Sequence, residues 1–469
     1  MSAVGWLTDP AAAFALARAS TRPLLLYWGA SWCPPCNRIK ATAFAHPDFA
    51  ALAPALVPLA IDGDSAGAQA LAGRLGVRSY PTLVLYRPDG AEITRLPCEL
   101  SGQRFIEILT LALAAPMTAA QAFDAALAGQ GPLPADAWRL LGFYSWDTDE
   151  ARLLGQVDAA AALAALARDC DQPEAALRLA WHALHAASEA AGRDGQAGML
   201  RSEALARIGR DLSDPQVVRT QMDLVTNDAP DLVRFLTPAP APSPERLRLT
   251  QAWSQALMVI EDEQAFSVAD RLAALRTRIR MARLGAALPG LEGMVRGRVA
   301  TALLSVQDPA LRHQVLNTAA GLLSDAGMLD DAEEVLSDAL ERSHAPYYFM
   351  HNLAALAKKR GDAAAALDWY ERAWRQARGP ATRLQWGATC LQALVDFAPR
   401  EAAPPAHQAR VERLADELRA ELNGMDDVAS QRNGTQLKRI AAALAAWGGS
   451  AASTLALDEA VARRRANPA

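Results

Sequence analysis

The decapeptide SWCPPCNRIK, residues 31–40, sets two cysteines three positions apart directly behind the apolar run PLLLYWGA of residues 23–30. That run is continuous rather than alternating, the pattern of a strand covered on both faces. Pro34 and Pro35 suit the first turn of a helix, where amide hydrogens lack intrahelical partners. A helix puts residues three apart on one face with β-carbons about 5–6 Å apart, close enough for a disulfide after modest adjustment. Electron exchange, metal binding and plain packing are the three uses such a pair can have.

Outward from this segment, Thr8 or Asp9 is expected to cap a first helix that opens at Pro10. ALVPLAID (55–62) and PTLVLYRPDG (81–90) read as two further strands, the second ending in a Pro88-Asp89-Gly90 turn, with the helical AGAQALAGRLG (66–76) between them. The expected order is helix, strand, helix, strand, helix, strand. From about residue 116 onward, alanine-dense segments with helical spacing continue to the end and no further strand is expected. TPAPAPSPE (237–245) is a proline-rich break between two helical blocks. In the second block, an offset of 34 residues matches Ala320 with Ala354, Gly327 with Gly361, Ala332 with Ala366, Ala339 with Ala373 and Pro346 with Pro380. This is the tetratricopeptide period, with a glycine between paired helices and small residues where they approach. At the next step Ala388 follows, but Val395 replaces the glycine, so the array degrades there.

The 469 residues carry 47 Lys and Arg against 52 Asp and Glu, a net charge of -5 that offers no broad positive field for nucleic acid. Five cysteines are too few for a disulfide scaffold. The apolar stretch Ile108–Phe123 is broken by Pro116 and holds Thr110, Thr118 and Gln121, so it does not suit a membrane span. No basic residue precedes the apolar start of the chain, which argues for a helix over a secretion signal. A cytoplasmic protein is expected. His182 and His185 share a helix face and read as partly buried surface. Asp62 and Asp64 read as a turn after a strand, and Arg463-Arg464-Arg465 as a solvated tail.

A metal at Cys33 and Cys36 would need two further ligands, and neither a second C-x-x-C nor a nearby histidine pair supplies them. For thiol chemistry, Cys33 at the helix start is the nucleophile and Cys36, a turn inside, the resolving thiol. The two prolines remove amides that could bond a thiolate, leaving those of Cys36 and Asn37. Moderate acidification of Cys33 is therefore expected.

With Trp32-Cys33-Pro34-Pro35-Cys36 and the later Ser79-Tyr80-Pro81-Thr82, residues 1 to about 115 resemble the thioredoxin family. The resemblance implies an α/β domain with a central mixed sheet flanked by helices. It also implies a cis Pro81 facing the cysteine pair and a docking surface of Trp32, Tyr80 and Pro81 for extended clients. The redox group would be the Cys33–Cys36 disulfide itself, with no other cofactor. Three positions depart from the family pattern. Tyr27 stands where a buried aspartate is usual and Pro58 where its lysine partner would be. Cys98 stands near the glycine that borders the client groove, either as a third thiol or as an ordinary small residue by a turn.

The resulting expectation is a thioredoxin-like domain (1–115) and an all-helical domain (116–236), then the proline-rich linker (237–245). A tetratricopeptide-like all-α domain (246–469) follows, clearest over 313–398. Such a protein would exchange disulfides with protein clients, draw electrons from a reductase and use its helical repeats to bind clients or a protein partner. Neither nucleic acid nor membrane is expected as a partner. The rival reading is similar to the chaperedoxins, in which client holding outweighs redox turnover.

Overall fold

The computed structural model describes residues 4–65, 67–149, 152–155, 157–194, 198–238, 243–285, 288–343, 345–398, 403–425 and 431–448. The basic run Arg463–Arg465 and the centre of the proline-rich stretch, 239–242, lie outside them. The described residues form two compact units. One is drawn from Met1–Tyr27, Asn37–Ala60 and Thr82–Asp331, the other from Trp28–Cys36, Ile61–Pro81 and Ala332–Ala469.

The sheet domain begins with α1 (Pro10–Ser20), whose first turn is capped by the Asp9 carboxylate accepting from the Ala12 amide at 3.1 Å. β1 (Leu24–Gly29) follows, then α2 (Pro34–Thr42), α3 (Pro47–Leu52), β2 (Val57–Asp62), α4 (Ala68–Leu75), β3 (Thr82–Tyr86), β4 (Glu92–Leu96) and α5 (Gly102–Ala114). The strand order is β2-β1-β3-β4. All six residues of β1 are buried, as its unbroken apolar run requires. β3 and β4 pair antiparallel with Leu83 opposite Leu96 and Val84 opposite Arg95, and a bulge falls at Leu85/Tyr86.

β4 is a strand the apolar pattern does not reveal. EITRL carries Arg95, which is fully buried yet charged. Its guanidinium meets Glu92 at 3.0 Å and the Thr148 carbonyl, so a satisfied cation takes a position that hydrophobicity would reserve for an apolar side chain.

The helices after α5 run from α6 (Ala119–Leu127), α7 (Ala135–Gly142), α8 (Ala159–Asp169) and α9 (Pro173–Asp194) to α10 (Gly198–Ser213), α11 (Pro215–Thr220), α12 (Met222–Asn227) and α13 (Ala229–Leu236). Next come α14 (Pro244–Asp262), α15 (Val268–Leu284), α16 (Leu291–Ser305) and α17 (Pro309–Asp325). No strand occurs among the described residues beyond β4. The helices on either side of 237–245 share one core, in which Trp181, Ile208 and Val233 pack with Trp253, Leu257 and Met281. Among the described residues no single helix is long and apolar enough to cross a membrane. α5 and α6 together reach that length and apolarity only as a pair bent by 77°, and their buried faces belong to the cores they pack into.

Buried ion pairs anchor this unit. Arg178 on α9 is 1% exposed, donates to both carboxylate oxygens of Asp223 at 3.1 and 2.7 Å, and lies over the Phe143 ring. Arg38, on α2 two residues after Cys36, donates to Asp270 at 2.8 Å and to the carbonyls of Cys98 and Glu99 at 3.1 and 3.0 Å.

The 34-residue period corresponds to helix pairs. α18 (Leu329–Arg342) precedes α19 (Pro346–Lys359), α20 (Ala363–Gln376), α21 (Pro380–Phe397), α22 (Pro405–Asn423) and α23 (Gln431–Trp447). The repeated alanines 320, 354, 332, 366, 339 and 373 are all buried. Pro346 and Pro380 open their helices. Gly361 turns the chain between the packed helices α19 and α20 with φ of 78°, and Gly327, between α17 and α18 in sequence, has φ of 84°, conformations a side chain would resist.

Candidate active site

β1 delivers the chain to Cys33, which immediately precedes α2, and the Cys33 amide donates to the Ala30 carbonyl at 3.3 Å. Cys33 is 4% exposed and Cys36 fully buried, and neither is in a disulfide here. The Tyr80–Pro81 peptide bond is cis, as the family resemblance implies. The Cys33 thiol lies 3.5 Å from the Tyr80 carbonyl oxygen and donates to it. Trp32, Cys33, Tyr80 and Pro81 therefore lie together, with Pro34 buried and Pro35 exposed on the first turn of α2.

The expected acidification of Cys33 is reversed. A hydrogen bond shared with the Cys36 sulfur and burial both hold the Cys33 thiol above the ordinary cysteine range. The Cys36 backbone hydrogen bond and the nearby Arg432 cation pull the other way without prevailing. The physical reason is that a helix start acidifies a thiol only where water or amides can solvate the thiolate. Here the sulfur is enclosed and two of the available amides are prolines.

The helices α19, α21 and α23 pack in the same compact unit as the motif and contact the residues around Cys33. The Trp32 indole N–H donates to Asp64 Oδ2 at 2.7 Å and to Thr382 Oγ1 at 3.0 Å, and Thr382 in turn donates to Asp64 Oδ2 at 2.6 Å. The Trp32 ring stacks on Tyr348 at 6.0 Å and meets Trp386 edge-on at 5.9 Å and Tyr80 at 5.9 Å. The Arg432 guanidinium lies 4.1 Å from the centre of the Tyr80 ring. Two glycines permit the approach. A β-carbon at Gly63 would meet the Tyr80 ring at 2.3 Å, and one at Gly379 would meet Asp64 Cβ at 2.6 Å. The three residues expected to dock clients are thus gathered as expected, but Trp32 is only 7% exposed, Pro81 is buried and Tyr80 half-buried.

Asp64 is more than a turn residue. Burial raises its carboxyl above the usual range, although its bonds from Thr382 and Trp32 and the Arg432 charge act downward. Asp62 does form the turn, its carboxylate accepting from the Asp64 amide at 3.0 Å. Tyr348, Thr382, Trp386 and Arg432 carry no local signal that marks them as site residues. Only the repeat period hints that small Ala and Gly positions are structural while the larger residues between them are free to face something else.

Tyr27 is buried in β1 against Trp6 and Phe44, an aromatic cluster in place of a buried acid, and Pro58 lies in β2. Cys98 follows β4, half-buried, and lines a cleft of about 400 Å³ with Glu99, Asp147, His182, His185 and Asp223. Burial, with acidic neighbours adding to it, pushes Glu99 up to about 7, while burial and the Arg178 charge bring His182 down to about 3, a neutral imidazole at physiological pH. Among the described residues no group of three or more His, Cys, Asp or Glu is arranged to hold a metal ion.

Comparison with known proteins agrees with the N-terminal geometry. The profile of a thioredoxin-like family matches residues 5–88. Among solved structures, the chain is similar to a thioredoxin from Thermus thermophilus, with 27% identity over 24% of this chain and 88% of that one and a TM-score of 0.22. No curated protein matches the chain. The protein carries an N-terminal thioredoxin-like domain with a C-x-x-C pair at Cys33 and Cys36, followed by a large helical region.

Proposed function

We propose that the protein is a thiol–disulfide oxidoreductase acting on protein clients. The carrying observation is that Cys33 and Cys36 lie side by side within hydrogen-bonding reach, with Cys33 against the Tyr80–Pro81 loop. In this reading the Cys33 thiolate attacks one sulfur of a client disulfide, a mixed disulfide forms and a client thiolate leaves. Cys36 then loses its proton and attacks Cys33 Sγ. The Cys33–Cys36 disulfide closes, the second client thiolate leaves, and two electrons have passed to the client. A reductase of unassigned identity restores the dithiol. The repeats, tetratricopeptide-like in period, bind clients or a protein partner, and the setting is the cytoplasm, without nucleic acid or membrane.

The test is equilibration of the full chain in glutathione buffers, followed by acid quenching and mapping of the cysteines by mass spectrometry. A reversible Cys33–Cys36 disulfide with a potential of roughly -180 to -270 mV is expected, and a Cys36→Ala variant should retain clients through reducible bonds at Cys33. Failure to form that disulfide at any ambient potential sinks the reading.

The burial of Cys33 favours one alternative, a chaperedoxin-like holder or scaffold in which binding dominates. A Cys33→Ser, Cys36→Ser double variant would then still suppress aggregation of an unfolded client, whereas an oxidoreductase without holding activity would not.

A further inference from the structure

We infer that α19, α21 and α23 occupy the groove in which an extended client would meet Cys33, so that the chain's own repeats hold the dithiol closed and exchange follows only when they are displaced. This rests on the reading of Cys33 as the client-facing nucleophile.

Every group that would receive a client is already engaged. Trp32 has spent its indole N–H on Asp64 and Thr382, and its faces and edge meet Tyr348, Trp386 and Tyr80. Tyr80 has Arg432 over its ring and the Cys33 thiol on its carbonyl. Cys33 itself is only 4% exposed. The closing contacts differ in kind from those that build the helices behind them. α21 is held in its own block by buried Leu384, Ala388 and Leu391, whereas towards the motif it offers the Thr382 hydroxyl and the Trp386 ring, with Gly379 at its start packed close against Asp64. Hydrogen bonds around one carboxylate, with one ring stack and two edge-on ring contacts at Trp32, can part and re-form without dismantling the apolar core of the helices themselves, which is what a displaceable cover needs.

Asp64 is the pivot. Its Oδ2 takes hydrogen bonds from both Trp32, on the motif, and Thr382, on the cover, at 2.7 and 2.6 Å. A second carboxylate placed at position 382 would lose the donated bond and face Asp64 with like charge. Loss of one hydrogen bond to a charged group shifts an equilibrium about ten-fold or more.

The experiment uses the reduced full chain and follows alkylation of Cys33 by two reagents, iodoacetamide and a maleimide bearing a long polyethylene glycol chain, with the modified cysteine mapped by mass spectrometry. Cys390, 1% exposed on α21, reports unfolding. The wild-type Cys33 is expected to react with the bulky reagent at least about a hundred-fold more slowly than the same thiol in urea. Thr382→Asp should speed this about ten-fold or more while Cys390 stays protected, and Thr382→Ser should behave as wild type. Should Thr382→Asp expose Cys390 as well, Arg432→Ala, which removes the cation from Tyr80 at the cover's edge, decides in its place by the same criterion. A wild-type Cys33 that meets the bulky reagent as readily as an exposed thiol overturns the inference. So does a folded Thr382→Asp and Arg432→Ala pair with unchanged rates. If the Cys33–Cys36 disulfide still titrates reversibly in either of those cases, only the closure fails. If it never forms, the oxidoreductase reading fails regardless of the alkylation rates.

Discussion

Replacing Asp270 with alanine strips Arg38 of the carboxylate that its Nε meets at 2.8 Å, on side chains that are each 8% exposed. An exposed pair of this kind contributes about 0–1 kcal/mol. Truncating one partner of a buried pair instead costs about 3–5 kcal/mol, because the other charge is left without compensation. Arg38 keeps its bonds to the Cys98 and Glu99 carbonyls at 3.1 and 3.0 Å, so the lower end, about 3 kcal/mol, is expected. With a urea dependence of about 2–3 kcal/mol per molar, the unfolding midpoint should fall by about 1–1.5 M. The assay is urea unfolding followed by tryptophan fluorescence, with Arg38→Met, Asp270→Leu and the double variant completing a cycle. The double variant should cost less than either single change, since two apolar side chains leave no stranded charge. A shift below about 0.3 M for Asp270→Ala, or a double variant as costly as the sum of the singles, would refute the claim that this pair is buried and mutually dependent.

The alkylation rate of Cys33 in the closed chain should be low at neutral pH. It should keep rising beyond the ordinary thiol range of about 8.5, because the Cys36 hydrogen bond and burial raise the thiol; a pH–rate profile that levels off near pH 7 contradicts this. Gly361→Ala is expected to destabilise by about 1–2 kcal/mol, since φ is 78° and nothing else lies within 4 Å of the added carbon. Gly297→Ala, inside α16 with equally open surroundings, should stabilise by about 0.5–1 kcal/mol. Thermal melting of the two variants compares them directly, and shifts of the same sign would count against the backbone argument.

Local rules were enough to read much of this protein from its residues. The apolar run before the cysteines, Asp9 ahead of Pro10, the Pro-Asp-Gly turn and the 34-residue spacing of alanine, glycine and proline each act over a few residues or one repeat. Each corresponds to an element that the structure contains. The Trp-Cys-Pro-Pro-Cys motif marked the cysteine pair for the same reason, since spacing on one helix turn brings two sulfurs together whatever surrounds them. β4 escaped because its pattern is broken by Arg95, whose burial is tolerable only with Glu92 and a carbonyl from beyond the sheet.

What the tertiary structure alone decided is the environment of those sulfurs. Trp32 and Thr382 are 350 residues apart in the chain, and Arg38 and Asp270 are 232 apart. A threonine, an arginine or an aspartate carries no periodic mark of its distant partner. Yet the first of these pairings fixes Trp32, the residue beside Cys33, against a helix far along the chain. The sequence names the cysteine pair; burial and the hydrogen bond shared with Cys36 set the state of the Cys33 thiol, because both depend on what fills the few ångströms around the sulfur.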